Sequence, residues 1–370
     1  MQERIYALNH APIPFYFSQN ARDFIVREIP LYAFSNKGEH HILHVRKKGL
    51  STQEMLKILS NVLGCRIQEF GYAGLKDKSA TTTQYLSINK KFTKDLAIHL
   101  PVLKEQGIKI LDETYHDNKI KLGHLKGNSF FIRLKKITPL LAMQLENAIQ
   151  KIRTQGLPNY FGYQRFGKYQ DNHKEGQKIA HKQKKYRNKT LQNFLLNSYQ
   201  SELFNQWLCR RIKLAKIFAH FSTKEIPRAL KLEGFDLEPQ SIPLLKNQPH
   251  FFKILKGDVL EHYPFGRLFC TNLDENDVMR FFQKSLAPTG LLCGRGAFLA
   301  QDDARKIEEL FIDDKMDCNS TRRYAWVWPE EVTYRFLEKE AWFEMGFYLP
   351  KGSYATIFLE ELAHQEISIH

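Results

Sequence analysis

The chain has 370 residues and a formal net charge of +15, from 55 Lys and Arg against 40 Asp and Glu. The length favours two domains over one, and the positive charge points either to a polyanionic partner such as nucleic acid or to lysines that serve only solubility. Five scattered cysteines without a CxxC pair argue against a zinc ribbon or disulfide framework, and with no signal-peptide pattern or long apolar run we expect a cytoplasmic protein.

The first predicted elements are two strands, DFIVREI and HHILHV, around the turn-forming SNKG. The next segment, STQEMLKILSNVLG, is predicted to be a helix because Ser51 and Glu54 have capping-box spacing and apolar residues recur on one face. After it, IQEFGYAG is predicted to be a strand that ends in a glycine turn, and TTTQYLSI is predicted to be a further strand.

The turn between these last two strands holds Asp77 between Lys76 and Lys78. One interpretation is a solvated turn acid that its neighbours balance. The other is a carboxylate on a tight loop whose positive surroundings keep it ionised, so that it can act as a nucleophile or base without a histidine or a metal. The local sequence leaves both interpretations open.

The rest of the sequence changes in composition after residue 158 and becomes strand-like again near its C-terminal end. IKLGHLKGNSFFIRLKKI is predicted to form two strands joined by a glycine-containing loop, and a helix is predicted to follow Thr138. Residues 159–189 are polar, basic and aromatic and precede a long predicted helix, residues 220–320 have weak periodicity, and strand-like segments return from Arg322. This order predicts one domain inserted into another.

Other motifs predict little chemistry. GYAGLKDK is not a Walker A loop, and GRG at 294–296 lacks the context of a dinucleotide fingerprint. His40, His41 and His44 have no acidic or cysteine partner at ligand spacing, and on a strand His41 points away from the other two. We therefore predict no metal site.

A more specific signal comes from eight blocks: RDFIVREIP, GEHHILHVRKKGLST, GYAGLKDKSATTTQYLS, KLGHLKGNSFFIRL, LPNYFGYQRFG, SYQSELFNQW, STRRYAW and FYLPKGSYAT. Together and in this order they resemble the TruD family of tRNA pseudouridine synthases. The resemblance runs from Asp23 to the C-terminus and thins between residues 215 and 317.

The resemblance implies an α+β fold, in which a pseudouridine synthase catalytic domain with a mixed, largely antiparallel sheet is interrupted by a family-specific inserted α/β domain. We predict the catalytic domain at residues 1–157 plus 319–370 and the inserted TRUD-type domain at 158–318. The implied reaction breaks the uridine N1–C1′ bond, turns the base and rejoins it through C5, without a cofactor or a metal. The expected substrate is uridine 13 in the D arm of a tRNA, flipped out of the RNA.

The resemblance also assigns site residues. Asp77 aligns with the catalytic aspartate of the family, either as a nucleophile at C1′ or as the base that takes the C2′ proton, and Lys76 is expected to support it. Substrate contacts are expected from Phe24, Asn128, Phe130 and Tyr354, although the family often has phenylalanine at the last position. Without the resemblance, core packing would be favoured for Phe130 and a turn role for Asn128.

For RNA binding, the basic stretch after Pro158 supplies the candidates, because phosphates attract its charges and unstacked bases its aromatic rings. The residues are Lys168, Lys182, Lys184, Lys185, Arg187 and Lys189, interleaved with Tyr163 and Tyr169. The alternative is a solvated helix face. Many relatives carry arginine where this chain has Glu360, which argues against an RNA contact there.

The expected enzyme is a monomer whose partner is tRNA. The alternative function is a non-catalytic RNA-binding or chaperone protein of the same fold, and the presence of Asp77, Asn128 and Phe130 together argues against it. An RNA methyltransferase would need a cofactor loop, and none is found in the sequence.

Overall fold

The computed structural model describes residues 4–18, 20–167 and 169–367. This part of the chain divides into two compact units. The sheet unit comprises residues 13–147, 329–355 and 366–367. The long-helix unit comprises residues 4–12, 148–328 and 356–365.

The strands of the described residues are, in chain order, β1 (Phe24–Pro30), β2 (His40–Lys47), β3 (Gly71–Tyr72), β4 (Thr81–Asn89), β5 (Ile108–His116), β6 (Leu125–Lys135), β7 (Leu157–Pro158), β8 (Val259–His262), β9 (Leu268–Cys270), β10 (Leu286–Leu292), β11 (Thr321–Tyr324), β12 (Trp326–Val327), β13 (Glu330–Leu337) and β14 (Trp342–Pro350).

The helices of the same residues are α1 (Thr52–Val62), α2 (Leu96–Glu105), α3 (Pro139–Gln155), α4 (Asn172–Ala180), α5 (Lys189–His220), α6 (Ile226–Leu232), α7 (Ser241–Asn247), α8 (Glu275–Phe282), α9 (Asp302–Glu308) and α10 (Ala355–Ala363). The division between the two units falls within α3 and at the first residue of α10.

The sheet unit is built on a sheet with strand order β13-β14-β6-β1-β4-β2-β5, and β3 pairs with β4 beside this path. The pairing of β1 with β4 is parallel, and the other pairings are antiparallel. The sheet is therefore mixed and largely antiparallel, as the sequence predicts. The α+β fold class is confirmed.

The register of the central strands decides which side chains share a face, because partners that lie opposite each other point to the same side. Val26 of β1 lies opposite Phe130 of β6, and Glu28 lies opposite Asn128. Phe24, two residues before Val26, joins them. One face of the sheet thus carries Phe24, Glu28, Asn128 and Phe130 together.

The opposite face of these strands carries a ladder of charges. The guanidinium of Arg133 contacts Asp23 at 3.1 Å and Glu344 at 2.7 Å, and Arg335 contacts the other oxygen of Glu344 at 2.6 Å. Since Arg133, Glu344 and Arg335 lie on β6, β14 and β13, the ladder crosses three neighbouring strands. It links these strands on the face opposite the one that carries Phe130.

Helix α1 begins as the sequence predicts. The Ser51 hydroxyl accepts from the backbone N–H of Glu54 at 3.2 Å, and the Glu54 carboxylate accepts from the backbone N–H of Ser51 at 2.7 Å, which completes the capping box. The apolar face of the helix packs on the sheet through a cluster of fully buried side chains: Leu43, Val45, Met55, Leu56, Leu59, Leu86 and Ile88. This packing places the start of α1 beside the end of β2.

Two strand predictions are wrong in their extent. Residues 119–124 form no strand, since the N–H of His124 closes a turn to the carbonyl of Lys121 at 3.0 Å and Gly123 has a φ of +87°. The strand before β6 is instead β5, which begins at Ile108. In IQEFGYAG only Gly71–Tyr72 is strand, because residues 67–69 form a single 3₁₀ turn.

The long-helix unit has a sheet of order β11-β10-β8-β9, and β7 pairs with β12. The long helix predicted from Leu191 is confirmed as α5, which spans 32 residues and is capped by the Asn188 side chain. The weakly periodic segment 220–320 contains α6 to α9 and β8 to β10. Short elements such as α6 and α7, of 7 residues each, are too brief to establish a periodic pattern.

The unit boundaries and the predicted domain boundaries differ in position. The contacts divide the chain after Asn147 and after Trp328, and they group residues 4–12 and 356–365 with the long-helix unit. The sequence prediction places the boundaries at 157/158 and 318/319. The assignment of the two domains stays a prediction.

Within the described residues, no helix combines the length and the apolar character that a membrane crossing requires. No cluster of three or more His, Cys, Asp or Glu side chains suited to a metal ion occurs among them either. His41 instead contacts Glu113 at 3.0 Å and Thr93 at 2.8 Å.

A buried ion pair between Arg211 and Asp258 generates a stability prediction for the long-helix unit. Two nitrogens of Arg211 donate to the two oxygens of Asp258 at 2.6 and 2.7 Å, and both residues are at most 3% exposed. We expect Asp258→Ala to lower the free energy of unfolding by about 3–5 kcal/mol, because it leaves a buried guanidinium without its counter-charge. Urea unfolding followed by tryptophan fluorescence reports mainly on this unit, which contains three of the four tryptophans of the chain, Trp207, Trp326 and Trp328.

The matched control is Asp236→Ala, since the Asp236 side chain is 87% exposed and contacts Lys306 at 3.3 Å. It should change the free energy of unfolding by no more than about 0.5 kcal/mol. Equal effects of the two substitutions would contradict the structural importance of the Arg211–Asp258 pair.

Candidate active site

Asp77 lies on the loop between β3 and β4, residues 73–80, which we call the Asp77 loop. The residue is exposed, whereas its neighbour Lys76 is buried. The loop has no regular secondary structure of its own at residues 74–77, so its path depends on contacts with its surroundings. Three consecutive residues of the loop are each held by a different side chain.

The first contact holds Lys76. Its backbone N–H donates to the Thr52 hydroxyl at 2.9 Å, and that hydroxyl donates to the Gln84 side chain at 3.0 Å. Thr52 is the first residue of α1 and is 1% exposed. The helix start therefore fixes the loop just before Asp77.

The second contact holds Lys78. Its ammonium contacts the Glu54 carboxylate at 2.7 Å and holds the pKa of that carboxyl at about 2, well below the usual range. The same carboxylate belongs to the capping box of α1. Lys78 is therefore engaged with α1.

The third contact holds Asp77 itself. The ammonium of Lys47, at the end of β2, donates to the Asp77 carbonyl at 2.7 Å and also to the Leu50 carbonyl. Lys47 is 0% exposed. Lys47 is not among the residues predicted for the site, although the sequence carries a signal for it. Leu43, Val45 and Lys47 alternate on one face of β2, so a lysine occupies a position with the periodicity of the core.

The side chain of Lys76 reaches into the sheet. Its ammonium contacts the Glu28 carboxylate at 2.8 Å and donates to the Asn128 side-chain oxygen at 2.8 Å. Lys76 and Glu28 are 8% and 4% exposed. The structure therefore joins Lys76 and Asn128, two of the residues predicted for the site, by a direct hydrogen bond.

Phe24 and Phe130 also lie together, on the same face of the sheet as Asn128. Their rings stack with centroids 6.3 Å apart and an angle of 6° between the ring planes. The ring centroid of Phe347 lies 5.4 Å from that of Phe130. Phe24 and Phe130 are only 3% and 7% exposed. Most of their ring surface is used in packing, so at most an edge of each ring is open to a ligand.

Burial raises the pKa of Asp77 above the usual range for an aspartate, while the charges of Lys47 and Lys76 lower it by less. The carboxylate thus keeps contact with solvent and is nonetheless crowded by protein atoms that desolvate it. The sequence predicts instead that the positive charges around Asp77 dominate. The net direction is opposite because desolvation outweighs the two positive charges.

Tyr354 is half-buried and follows β14 in the chain. The end of β14 pairs with β6 at the site, since Leu349 lies opposite Asn128 and Pro350 opposite Gly127. Tyr354 follows four residues later in the chain. The chain therefore leaves the sheet beside Asn128 and reaches Tyr354 shortly afterwards.

The predicted RNA-binding residues lie in the long-helix unit, in and around the connection between α4 and α5. Lys184 contacts Glu175, which raises the pKa of its ammonium, and Tyr186 donates to the same carboxylate at 2.9 Å. The other described members are exposed: Lys182, Lys185, Arg187 and Lys189. The prediction for Lys168 lies outside the described residues.

The aromatic and acidic residues named with this surface differ in exposure. Tyr169 is 78% exposed, whereas Tyr163 is half-buried with the Arg4 guanidinium 3.9 Å from its ring centroid. Glu360 is buried and pairs with Arg4. The Glu360 carboxylate is thus part of a buried ion pair.

Comparison with known proteins identifies the family of the chain. The family described as tRNA pseudouridine synthase D (TruD) matches residues 1–187. A tRNA pseudouridine synthase D of Wolinella succinogenes is 49% identical over 367 residues, with 99% of both chains covered. A relative of the same name from Helicobacter hepaticus is 50% identical, with 97% of this chain and 95% of that protein covered.

A solved structure supports the fold. The crystal structure of a Methanosarcina mazei protein, described as a candidate tRNA pseudouridine synthase D, matches with a TM-score of 0.68 and 20% sequence identity. The match covers 98% of this chain and 96% of that protein. The two chains therefore share their fold over nearly their full length.

The hydrogen bond between Thr52 and the Asp77 loop generates a testable prediction. Thr52→Val keeps the shape of the side chain and leaves the Lys76 N–H and the Gln84 oxygen without their partner. We expect a loss of about 1–3 kcal/mol in the free energy of unfolding and faster hydrogen exchange at residues 74–79. Hydrogen exchange followed by mass spectrometry measures the second effect directly.

The control is Thr82→Val. Thr82 is 0% exposed, and its hydroxyl makes no hydrogen bond to any part of the chain that the structure describes. Its removal should be neutral or stabilising, because it takes away a buried polar group without orphaning a partner. Unchanged exchange at residues 74–79 in Thr52→Val would show that this hydroxyl does not hold the loop.

Proposed function

Because the chain belongs to the TruD family of tRNA pseudouridine synthases and is an isomerase of that class, we propose that Asp77 is its catalytic carboxylate and that it acts on uridine 13 in the D arm of tRNA. The observation that carries this proposal is the fixation of the Asp77 loop at three consecutive residues by Lys47, Thr52 and Glu54. A carboxylate on such a loop is positioned before the substrate arrives.

The reaction breaks the N1–C1′ bond of uridine and forms a C5–C1′ bond. The detached uracil turns, C5 attaches to C1′, the C5 proton is lost and N1 gains a proton, so no electrons enter or leave. Asp77 serves either as the nucleophile that adds to C1′ or as the base that removes the C2′ proton to give a glycal. Both routes need an ionised carboxylate close to the ribose.

Asn128 is proposed to recognise the uracil or the ribose. Its side-chain oxygen accepts from the Lys76 ammonium, which can only donate, so the amide NH₂ is the end left for the substrate. An NH₂ donor suits a uracil carbonyl or a ribose oxygen. Lys76 supports this role by fixing the amide through the Glu28 pair.

The three aromatic candidates complete the proposed site. Phe24 and Phe130 form a buried wall on the face that carries Asn128, and an edge of Phe130 is the part that would contact the base. Tyr354 is proposed to contact the extruded uridine from the end of β14. A uridine outside the helical stack loses a few kcal/mol of stacking and pairing, and contacts of this kind offset that loss.

The first test compares the wild-type protein with Asp77→Asn on unmodified tRNA transcripts. The substitution keeps the size of the side chain and removes its charge and basicity. We expect the single-turnover rate to fall below detection, at least about a thousandfold, while tRNA affinity stays within about tenfold. Carbodiimide adducts and primer-extension stops then locate the pseudouridine.

The control is Asp95→Asn, an exposed aspartate beside α2. It should turn over at the wild-type rate. A stop in the D arm with wild type alone would support both the site and the role of Asp77. A stop in another arm would overturn the D-arm proposal, and tight binding without any stop across a full tRNA set would favour the RNA-binding alternative.

The second test concerns the basic surface. Neutralising Lys182, Lys185, Arg187 and Lys189 to alanine should weaken tRNA binding and reduce the slope of log K against log salt by roughly 0.7–0.9 for each phosphate that the protein no longer neutralises. Lys184→Ala alone should have a smaller effect, because Glu175 already compensates its charge. Filter binding over a range of salt concentrations measures both.

The matched control removes the same charge from elsewhere. Lys57, Lys94, Lys104 and Lys109 are exposed residues of the sheet unit, and their joint replacement by alanine should leave the slope nearly unchanged. An equal loss of slope in both variants would mean that net charge matters and the α4–α5 connection does not.

A further inference from the structure

Lys47 is an unusual lysine because its ammonium is buried among neutral acceptors. The residue is 0% exposed, and its ammonium donates to the carbonyls of Leu50 and Asp77. Within the described residues it forms no ion pair, whereas the other buried ammonium at the site, that of Lys76, has the Glu28 carboxylate. A neutral donor would satisfy the same two carbonyls at a smaller desolvation cost.

Three charged groups act on the Lys47 ammonium. Asp77 on its loop and Glu54 on α1 attract the ammonium, and Lys76 repels it. The strand partners of Lys47 are Thr82 on β4 and Ile108 on β5, which carry no charge. Asp77 contributes the largest of these charge interactions. Among the charged groups, the carboxylate proposed for catalysis therefore offsets the largest part of the desolvation cost of this lysine.

We propose that Lys47 is a positioning residue for the isomerisation: it fixes the backbone of Asp77 through the carbonyl and keeps the Asp77 carboxylate ionised through its charge. This inference rests on the proposed role of Asp77. It assigns a function to a residue that lies 30 positions before Asp77 in the chain, at the end of β2. Lys76, bound to Glu28, holds Asn128, and Lys47 holds Asp77.

The titration of Lys47 and Asp77 makes the reaction rate depend on pH. Burial lowers the pKa of Lys47 to about 8 and raises the pKa of Asp77. The active form needs Asp77 deprotonated and Lys47 protonated. The rate should therefore rise through the pKa of Asp77, stay level, and fall above about pH 8 as Lys47 loses its proton and its charge no longer supports Asp77.

The test measures single-turnover rates from acidic to alkaline pH for wild type, Lys47→Met, Lys47→Arg and Lys48→Met. We expect Lys47→Met to lower the rate constant roughly a hundredfold with tRNA affinity within about threefold, because positioning acts after binding. Its remaining activity should show the acid limb at higher pH and no alkaline limb near pH 8. Lys47→Arg keeps a charge that does not titrate here, so it should lose only the alkaline limb.

Lys48→Met is the matched control, because Lys48 is the next residue and its side chain is exposed. It should keep the wild-type rate and both limbs. Melting curves identify any variant that fails to fold; if Lys47→Met is such a variant, the profile of Lys47→Arg decides. An alkaline limb that persists unchanged in Lys47→Arg, or a Lys47→Met enzyme with the wild-type profile, would overturn the proposal.

The same assay separates this inference from the proposed function. Loss of activity in Asp77→Asn together with wild-type behaviour of Lys47→Met would reject the role of Lys47 alone. Full activity of Asp77→Asn would reject the catalytic role of Asp77 and, with it, the premise of the inference.

Discussion

The geometry of the site depends on burying two ammonium groups next to one loop. A buried ammonium has three protons to donate and no means of accepting, so oxygen atoms must be arranged around it. Lys76 finds them on Glu28 and Asn128, and Lys47 finds them on the carbonyls of Leu50 and Asp77. These requirements leave the Asp77 loop little freedom, and the position of the carboxylate follows from them.

The two buried lysines are bound by different kinds of oxygen atom, and they therefore have different roles. Lys76 forms an ion pair with Glu28, so most of its charge is compensated locally. Lys47 is bound to carbonyl dipoles, so its charge acts on the nearest carboxylates, of which Asp77 is the strongest. Lys76, next to Asp77 in the chain, therefore serves to orient Asn128, whereas electrostatic support for Asp77 comes from Lys47 at the end of β2.

Local patterns predicted much of this arrangement. The capping box of α1, the strands β1, β2 and β4 and the turn that carries Asp77 follow from short-range spacing, which the final fold does not override. The partners of Asp77 could not be predicted in the same way, because Lys47 and Thr52 approach it only after β2, α1 and β4 have packed. The direction of the Asp77 pKa shift was missed for a related reason: charges can be counted in a sequence, but desolvation is a property of the packed structure.

Substrate binding would strengthen both effects that act on the ionisation of Asp77, the desolvation and the attraction to Lys47. A uridine placed over the carboxylate excludes water, which raises the cost of ionisation and also strengthens every remaining electrostatic interaction. Lys76 can add little in that state, since Glu28 already holds it. The attraction between Lys47 and Asp77 grows as the dielectric around them falls, and by linkage each charge stabilises the other. A buried ammonium without its own carboxylate is thus of most use when the substrate is bound, which gives a physical reason for the cost of keeping it.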